Sequence, residues 1–452
     1  MPMKKITLIG AGPTGSLLAI YLARRGFAVE LFERRPDMRK VTIGGGRSIN
    51  LALSVRGLHS LREAGLFERI MSIAVPMKGR MMHAVNGDLT FQRYGKDDSE
   101  VIYAVLRSEL NKTLVDAAEQ HEGVTIHFNQ RCTGMDFKTG ELELRDEATG
   151  ATRVLPAEVV IGTDGSASAI RTDMLKIGLF NFSQQYLEHG YKELIIPGGL
   201  NGAYQMEKHA LHIWPRQTFM LIALPNIDGS FAGIFFFQHD GEPSFASLDS
   251  ETKVFEFFQR QFLDVVSLMP DLRESYFANP TGAMMTIKCA PWHFEDKVLL
   301  MGDAAHAIVP FFGQGVNCCF EDCTYFNECL ERHGANWQNV FEEFERLRKP
   351  NTDAIADLAL ENFIEMRDRV ADPKFLLKKK VEQALEQRFP EIFVPKYSLV
   401  TFRRVPYLYA LERGKVQDGI LGELCREIER VEELNWEQAE AVVKQIRVTH
   451  AA

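Results

Sequence analysis

No run of apolar residues in this chain approaches the roughly 18–20 that a bilayer crossing requires, so no transmembrane span is predicted. The positive charge that a nucleic-acid surface needs is also missing. Acidic residues outnumber basic ones, 61 to 52, and the net charge of −9 argues against a phosphate backbone as partner. The seven cysteines are an odd number without framework spacing. Cys318, Cys319, Cys323 and Cys329 crowd one segment, but no histidine or second cysteine pair completes a zinc pattern. Reduced core thiols in a cytoplasmic protein are expected, with no metal. Internal repeats and low-complexity tracts are lacking, and the first strand starts so early that no signal peptide is expected. What is there is a balance of 46% apolar and 25% charged residues over 452 positions, that of a globular protein of two or three domains.

Residues 4–33 carry the most information. Positions 6–9 form a short apolar strand, Gly10, Gly12 and Gly15 supply a G-x-G-x-x-G turn, and 17–23 continue as an apolar helix. A second strand at 28–32 ends on Glu33, with Arg34 beside it. The first glycine permits the tight turn, the second lets a pyrophosphate approach the backbone, and the third lets helix pack on strand. The helix start offers free N–H groups and a positive dipole end to phosphate, and Glu33 falls where a carboxylate accepts from a ribose hydroxyl. Strand, turn, helix, strand and acid coincide, and together they predict a bound dinucleotide.

Two further apolar strands empty into Gly/Asp turns. One ends at 161 and runs into Gly162-Thr163-Asp164-Gly165; the other, at 298–301, runs into Gly302-Asp303-Ala304-Ala305-His306. The second continues through Pro310-Phe311-Phe312-Gly313-Gln314-Gly315-Val316-Asn317 into a helix. That glycine-rich run can aim several N–H groups at an anion or an electron-rich ring edge. For His306 a structural hydrogen bond is the favoured role over catalysis.

These three segments, in this order, resemble the class A flavoprotein monooxygenases. The resemblance implies FAD, held non-covalently since no attachment motif is evident, with its ADP on Gly10, Gly12, Gly15, Glu33 and Arg34. It places Asp303 on the ribityl chain, Asp164 and Gly165 near the pyrophosphate and the NADPH groove, and Gly315, Val316 and Asn317 against the flavin. Arg107, after Val105, would reach the FAD from a neighbouring helix. Gly44, Gly45 and Gly46 follow no proper strand, so no second fingerprint is found and NADPH must dock transiently. The implied fold is α/β: a discontinuous Rossmann-like FAD-binding domain (1–75, 101–180 and 285–345), an inserted antiparallel sheet domain for substrate (76–100 and 181–284), and a C-terminal helical region (346–452). Residues 191–237 read as antiparallel strands with Pro225-Asn226 and Asp228-Gly229 in a turn. Residues 340–385 and 418–446 read as helical, with Pro350 at a helix start and Asp372-Pro373 at its end.

More specific are R-S-I-N-L-A-L at 47–53, K-G-R-M at 78–81, Y-G-K-D-D-S-E at 94–100, L-H-I-W-P at 211–215, L-E-N-F-I-E-M at 360–366 and P-K-Y-S-L-V-T-F at 395–402. These resemble the kynurenine 3-monooxygenase branch of that family over all but the last 30 or so residues. The branch implies hydroxylation of L-kynurenine with NADPH and O2 through a flavin 4a-hydroperoxide, within tryptophan degradation. Arg80 and Tyr94 would bind the amino-acid carboxylate, with Asn362, Glu365 and Tyr397 as further contacts. Phe312 stands where other members place histidine, which makes that wall more apolar. Phe311, Ile213 and Trp214 are further candidate walls. The residues themselves agree in part: an arginine in a strand-like, mostly apolar segment needs an anion if buried, and otherwise faces solvent. Asn362 and Glu365, three apart, share a helix face with Leu358 and Arg369. Two alternatives remain at this point: a class A hydroxylase of another aromatic acid, and a non-enzymatic binding protein like the GDP-dissociation inhibitors. A homodimer is left open.

Overall fold

A strand covered on both faces reads as an unbroken apolar run, and Lys5–Ile9 is such a strand, with Ile6 and Leu8 wholly buried. The computed structural model describes residues 4–41, 50–365 and 373–448. Gly44, Gly45, Gly46, Arg47, Ser48, Ile49, Met366, Arg369 and Asp372 lie outside them. Lys5–Ile9 sits within a six-stranded sheet ordered His293–Phe294, Val298–Leu300, Val160–Gly162, Lys5–Ile9, Ala28–Phe32, Val124–His127. All neighbours are parallel except the first pair. Helix Pro13–Arg24 leaves the first strand through the glycine turn, with Gly10 at φ +100° and Pro13 setting the first helical φ. Two more helices, Arg107–Glu119 and Gly315–His333, pack against it. The sheet therefore draws its strands from residues 5 to 300, and the three Gly/Asp turns leave it at one end.

The second sheet has seven strands, ordered Gly282–Ala290, Asn181–Ile196, Phe231–Gln238, Phe219–Pro225, Ala210–Arg216, Gly79–His83, Leu89–Arg93. Its pairs are antiparallel except for Ala210–Arg216 with Gly79–His83. Alternation divides each strand between two cores. Phe235 and Phe237 join the aromatic cluster under helices Glu251–Gln261 and Leu272–Ala278. Ile234 and Phe236 face a different core, shared with Phe311, Phe363 and Leu399. Because both faces are covered, these strands read as continuous apolar runs. The turn at 226–230 forms as predicted, with Asn226 N–H bonded to the Ser230 carbonyl.

Two helical readings need correction. Pro350 lies inside the long helix Trp337–Ile364 and starts nothing. It is exposed, on the side of the helix where a lost backbone hydrogen bond costs least. The stretch 418–446 is two helices, Tyr407–Leu424 and Trp436–Val448, separated by a 3-10 turn at Val431–Glu433. With Pro373–Arg388 they enclose a small core of Leu377, Val381, Leu385, Leu421 and Val443. No helix of the described residues is long and apolar enough to cross a membrane.

Candidate active site

The glycine turn is shaped for a pyrophosphate. A Cβ at Gly10 would meet the Thr163 carbonyl oxygen at 2.7 Å, and one at Gly15 would run into the Gly10 carbonyl, whereas Gly12 and Gly165 face open space. Gly15→Ala is expected to weaken FAD binding about tenfold or more, since overpacking costs ~1–3 kcal/mol. Flavin retained through gel filtration measures it; full retention would show that the turn can widen. Glu33 accepts the Ala11 N–H at 2.9 Å and a charged contact from Arg35 Nε at 2.7 Å. Burial opposes its charge, but the Arg35 bonds outweigh that and hold its carboxyl below the usual range. Arg34 is exposed, and Glu33 engages Arg35 instead.

The other turns converge on the same place. Asp164 accepts the Ala169 N–H on Oδ2, while its buried Oδ1 has no partner, and burial raises its pKa. In helix Gly315–His333 the first helical bond runs from Cys318 N–H to Gln314, so the N–H groups of Gly315, Val316 and Asn317 precede it. The Asn317 side chain is spent on bracing: it accepts from Ser54 N–H and donates to Ala52 and Gly313. An orphaned acid, an open glycine cradle and a free helix start together fit FAD.

A cavity of about 290 Å³ opens beside these turns. Pro13, Thr14, Asp303 and Val316 line its nucleotide side, and Arg107, at the start of its helix, reaches it too. The seven-stranded sheet supplies Leu211, Ile222, Leu224, Ile234 and Phe236. Arg80, Tyr94, Tyr397 and Phe312 complete the wall. Tyr94 stacks on Tyr397 at 5.6 Å, and Tyr397 on Phe312 at 5.5 Å. The Arg80 guanidinium lies 5.3 Å from one tyrosine ring centre and 5.0 Å from the other. Its Nε is buried without a partner, and among the described residues no carboxylate pairs with it. Burial pushes the pKa of both Tyr94 and Tyr397 up, so both are neutral hydroxyls that can donate.

Asn362 and Glu365 stand behind this wall. Asn362 Nδ2 donates to the Phe311 carbonyl at 2.7 Å, fixing the turn that carries Phe312, and Glu365 lies 3.9 Å from Lys396, the neighbour of Tyr397. Ile213 and Trp214 do not line the cavity; Trp214 points to the opposite sheet face and donates to Asp264. Leu211 takes the place expected for them.

A buried charge network was not foreseen. Asp322 accepts from His306 at 2.6 Å, from Arg348 at 2.7 Å and from the Gly302 N–H at 3.2 Å. Glu321 pairs with Arg348 and with Arg56, both at 2.8 Å. Arg56 in turn donates to the Val400 and Val405 carbonyls and lies over the Tyr407 ring. His306 thus makes a buried hydrogen bond to the carboxylate that holds the Gly302 N–H. His306, Cys318 and Asp322 come close enough to share a cation, but Arg348 already lies on Asp322 and 3.4 Å from Cys318 Sγ. The only signal for the network was Glu321-Asp322 within the apolar stretch of helix Gly315–His333.

The FAD binding domain model matches residues 3–353. The kynurenine 3-monooxygenase of Myxococcus xanthus (strain DK1622) is 55% identical over 97% of this chain and 94% of its own. The chain belongs to the kynurenine 3-monooxygenase family. The family's enzyme from Dictyostelium discoideum is 44% identical over 94% of this chain and 93% of its own. This likeness runs further than the motifs suggested, because the last helix, Trp436–Val448, carries an amphipathic pattern but no distinctive motif. Among solved structures, the tetrameric form of 2-methyl-3-hydroxypyridine-5-carboxylic acid oxygenase matches with a TM-score of 0.67 at 20% identity, covering 83% of this chain and 96% of its own. PqsL of P. aeruginosa matches with 0.65 at 18%, covering 81% and 97%. Those two show the fold. The protein is an FAD-dependent monooxygenase, and the non-enzymatic reading falls away.

Proposed function

We propose that the enzyme hydroxylates L-kynurenine to 3-hydroxy-L-kynurenine, using NADPH and O2. The observation that carries this is Arg80: a guanidinium on the wall of a largely apolar cavity, with its buried Nε–H unmet, wants an anion. An amino-acid carboxylate supplies one, and the planar fork of arginine fits it with two bonds. The Tyr94 and Tyr397 hydroxyls add donors from the rings that flank it. Ile222, Leu224, Ile234 and Phe236 give the aromatic ring an apolar bed, while Phe311 and Phe312 close the side beside Gly313.

When bound, FAD supplies the redox chemistry, taking a hydride from NADPH and delivering one atom of dioxygen to the ring. The chain's part is to position the ring and to exclude water, which would divert the oxygen to hydrogen peroxide. No histidine lines the cavity among the described residues, and its one carboxylate, Asp303, lies on the nucleotide side. The residues offer no general base beside the ring, and an aniline needs none: its amine already pushes electron density to the neighbouring carbon.

The test is anaerobic mixing with NADPH. Flavin bleaching should be slow alone and much faster with L-kynurenine, because only a ligand that prefers the reducible state can shift that equilibrium. Equal rates would show that the cavity and the flavin are uncoupled.

A further inference from the structure

Asn50 begins the strand Asn50–Leu53 on the cavity wall and is 5% exposed. Its Nδ2 donates to the Pro225 carbonyl at 3.1 Å and to Asn226 Oδ1 at 2.7 Å. Both N–H groups are thus committed to the turn after strand Phe219–Pro225. Turning the amide over would set its oxygen against two acceptors, so these partners fix its orientation. The buried Oδ1 accepts nothing. Folded proteins seldom leave such an oxygen unmet, and the residue that carries it lines the cavity. The other polar side chains there are the cations Arg80 and Arg107, the hydroxyls of Tyr94 and Tyr397 beside Arg80, or lie by the nucleotide turns.

We infer that Asn50 Oδ1 accepts a hydrogen bond from the aromatic amine of the substrate and so selects an aniline over a phenolate. This rests on the reading of the cavity given above. An aniline ortho to a ring ketone gives one N–H to its own carbonyl and has a second to place. A phenolate at that position would bring lone pairs against the Asn50 oxygen. Arg80 lies opposite Leu211, and strand Phe219–Pro225 comes next, so the backbone at Arg80 and the turn that Asn50 grips stand about two strand spacings apart across the sheet, with the cavity bounded by both residues. A flavin N–H is the other source of a donor, and the test separates the two.

The FAD-loaded enzyme is titrated with L-kynurenine and with its des-amino analogue, 2-amino-4-oxo-4-phenylbutanoic acid, following the flavin absorbance. Wild type should bind the amine roughly tenfold more tightly, and Asn50→Leu should bind the two about equally. Damage to the turn weakens both ligands alike and cancels from the ratio. Asn50→Ala, which empties the position, is measured where the leucine variant does not fold, and the ratio must collapse there too. A ratio kept in either variant overturns the inference, and a kept ratio with weakened FAD binding assigns the donor to the flavin. Wild type binding neither ligand overturns the reading of the cavity itself.

Discussion

Arg80→Met is expected to weaken L-kynurenine binding by roughly 10- to 150-fold, the effect of losing a charge-assisted pair of ~1.5–3 kcal/mol. Methionine keeps much of the bulk between Tyr94 and Tyr397 but removes the charge and all five N–H donors. FAD content should stay at the wild-type level, because Arg80 is held by the sheet strand Gly79–His83 and its guanidinium lies by the Tyr94 and Tyr397 rings. Binding titration and flavin absorbance read the two quantities on one sample. Unchanged affinity would remove Arg80 from the site.

Arg348→Met should cost ~3–5 kcal/mol of stability, the largest effect expected of any single change here. Arg348 is 1% exposed and bonds Asp322 and Glu321 together, so its removal takes a charged partner from each buried carboxylate and leaves Asp322 to His306 and Glu321 to Arg56. Denaturant unfolding measures the loss. Flavin retention should fall with it, since Asp322 also holds the Gly302 N–H. The network has a pH signature as well. Burial opposes the charge on Asp322, but His306 and Arg348 outweigh it and lower its pKa. A lowered carboxylate stabilises the fold above its unfolded pKa of ~4, and that share is lost as pH falls through the folded value. A loss under about 1 kcal/mol in the Arg348 variant would mean that His306 and Arg56 alone suffice for the two carboxylates.

The nucleotide half of the site was legible because its signal is local. Gly10, Gly12 and Gly15 act within one turn, and Glu33 follows one strand later, so spacing alone reports them. Arg80 was legible as a charge in a strand-like segment. What failed was everything that depends on which face of a doubly covered strand looks where. Leu211 and Trp214 are both apolar, and only the packing of helices Glu251–Gln261 and Leu263–Val266 on one face sends Trp214 away from the cavity. Arg56 and Arg348 give no local signal, since their partners lie 265 and 26–27 positions away. Pro350 misled because proline favours helix starts, and only its exposure shows why it survives inside one.

The central claim is that binding at Arg80 directs oxygen from the flavin to an aromatic amine. NADPH oxidation in air, followed together with 3-hydroxykynurenine and hydrogen peroxide, tests it most directly. The account predicts slow oxidation with NADPH alone and fast oxidation with L-kynurenine, with nearly one hydroxylated product per NADPH and little peroxide. Oxidation that L-kynurenine leaves unchanged, or accelerates while only peroxide accumulates, would contradict it.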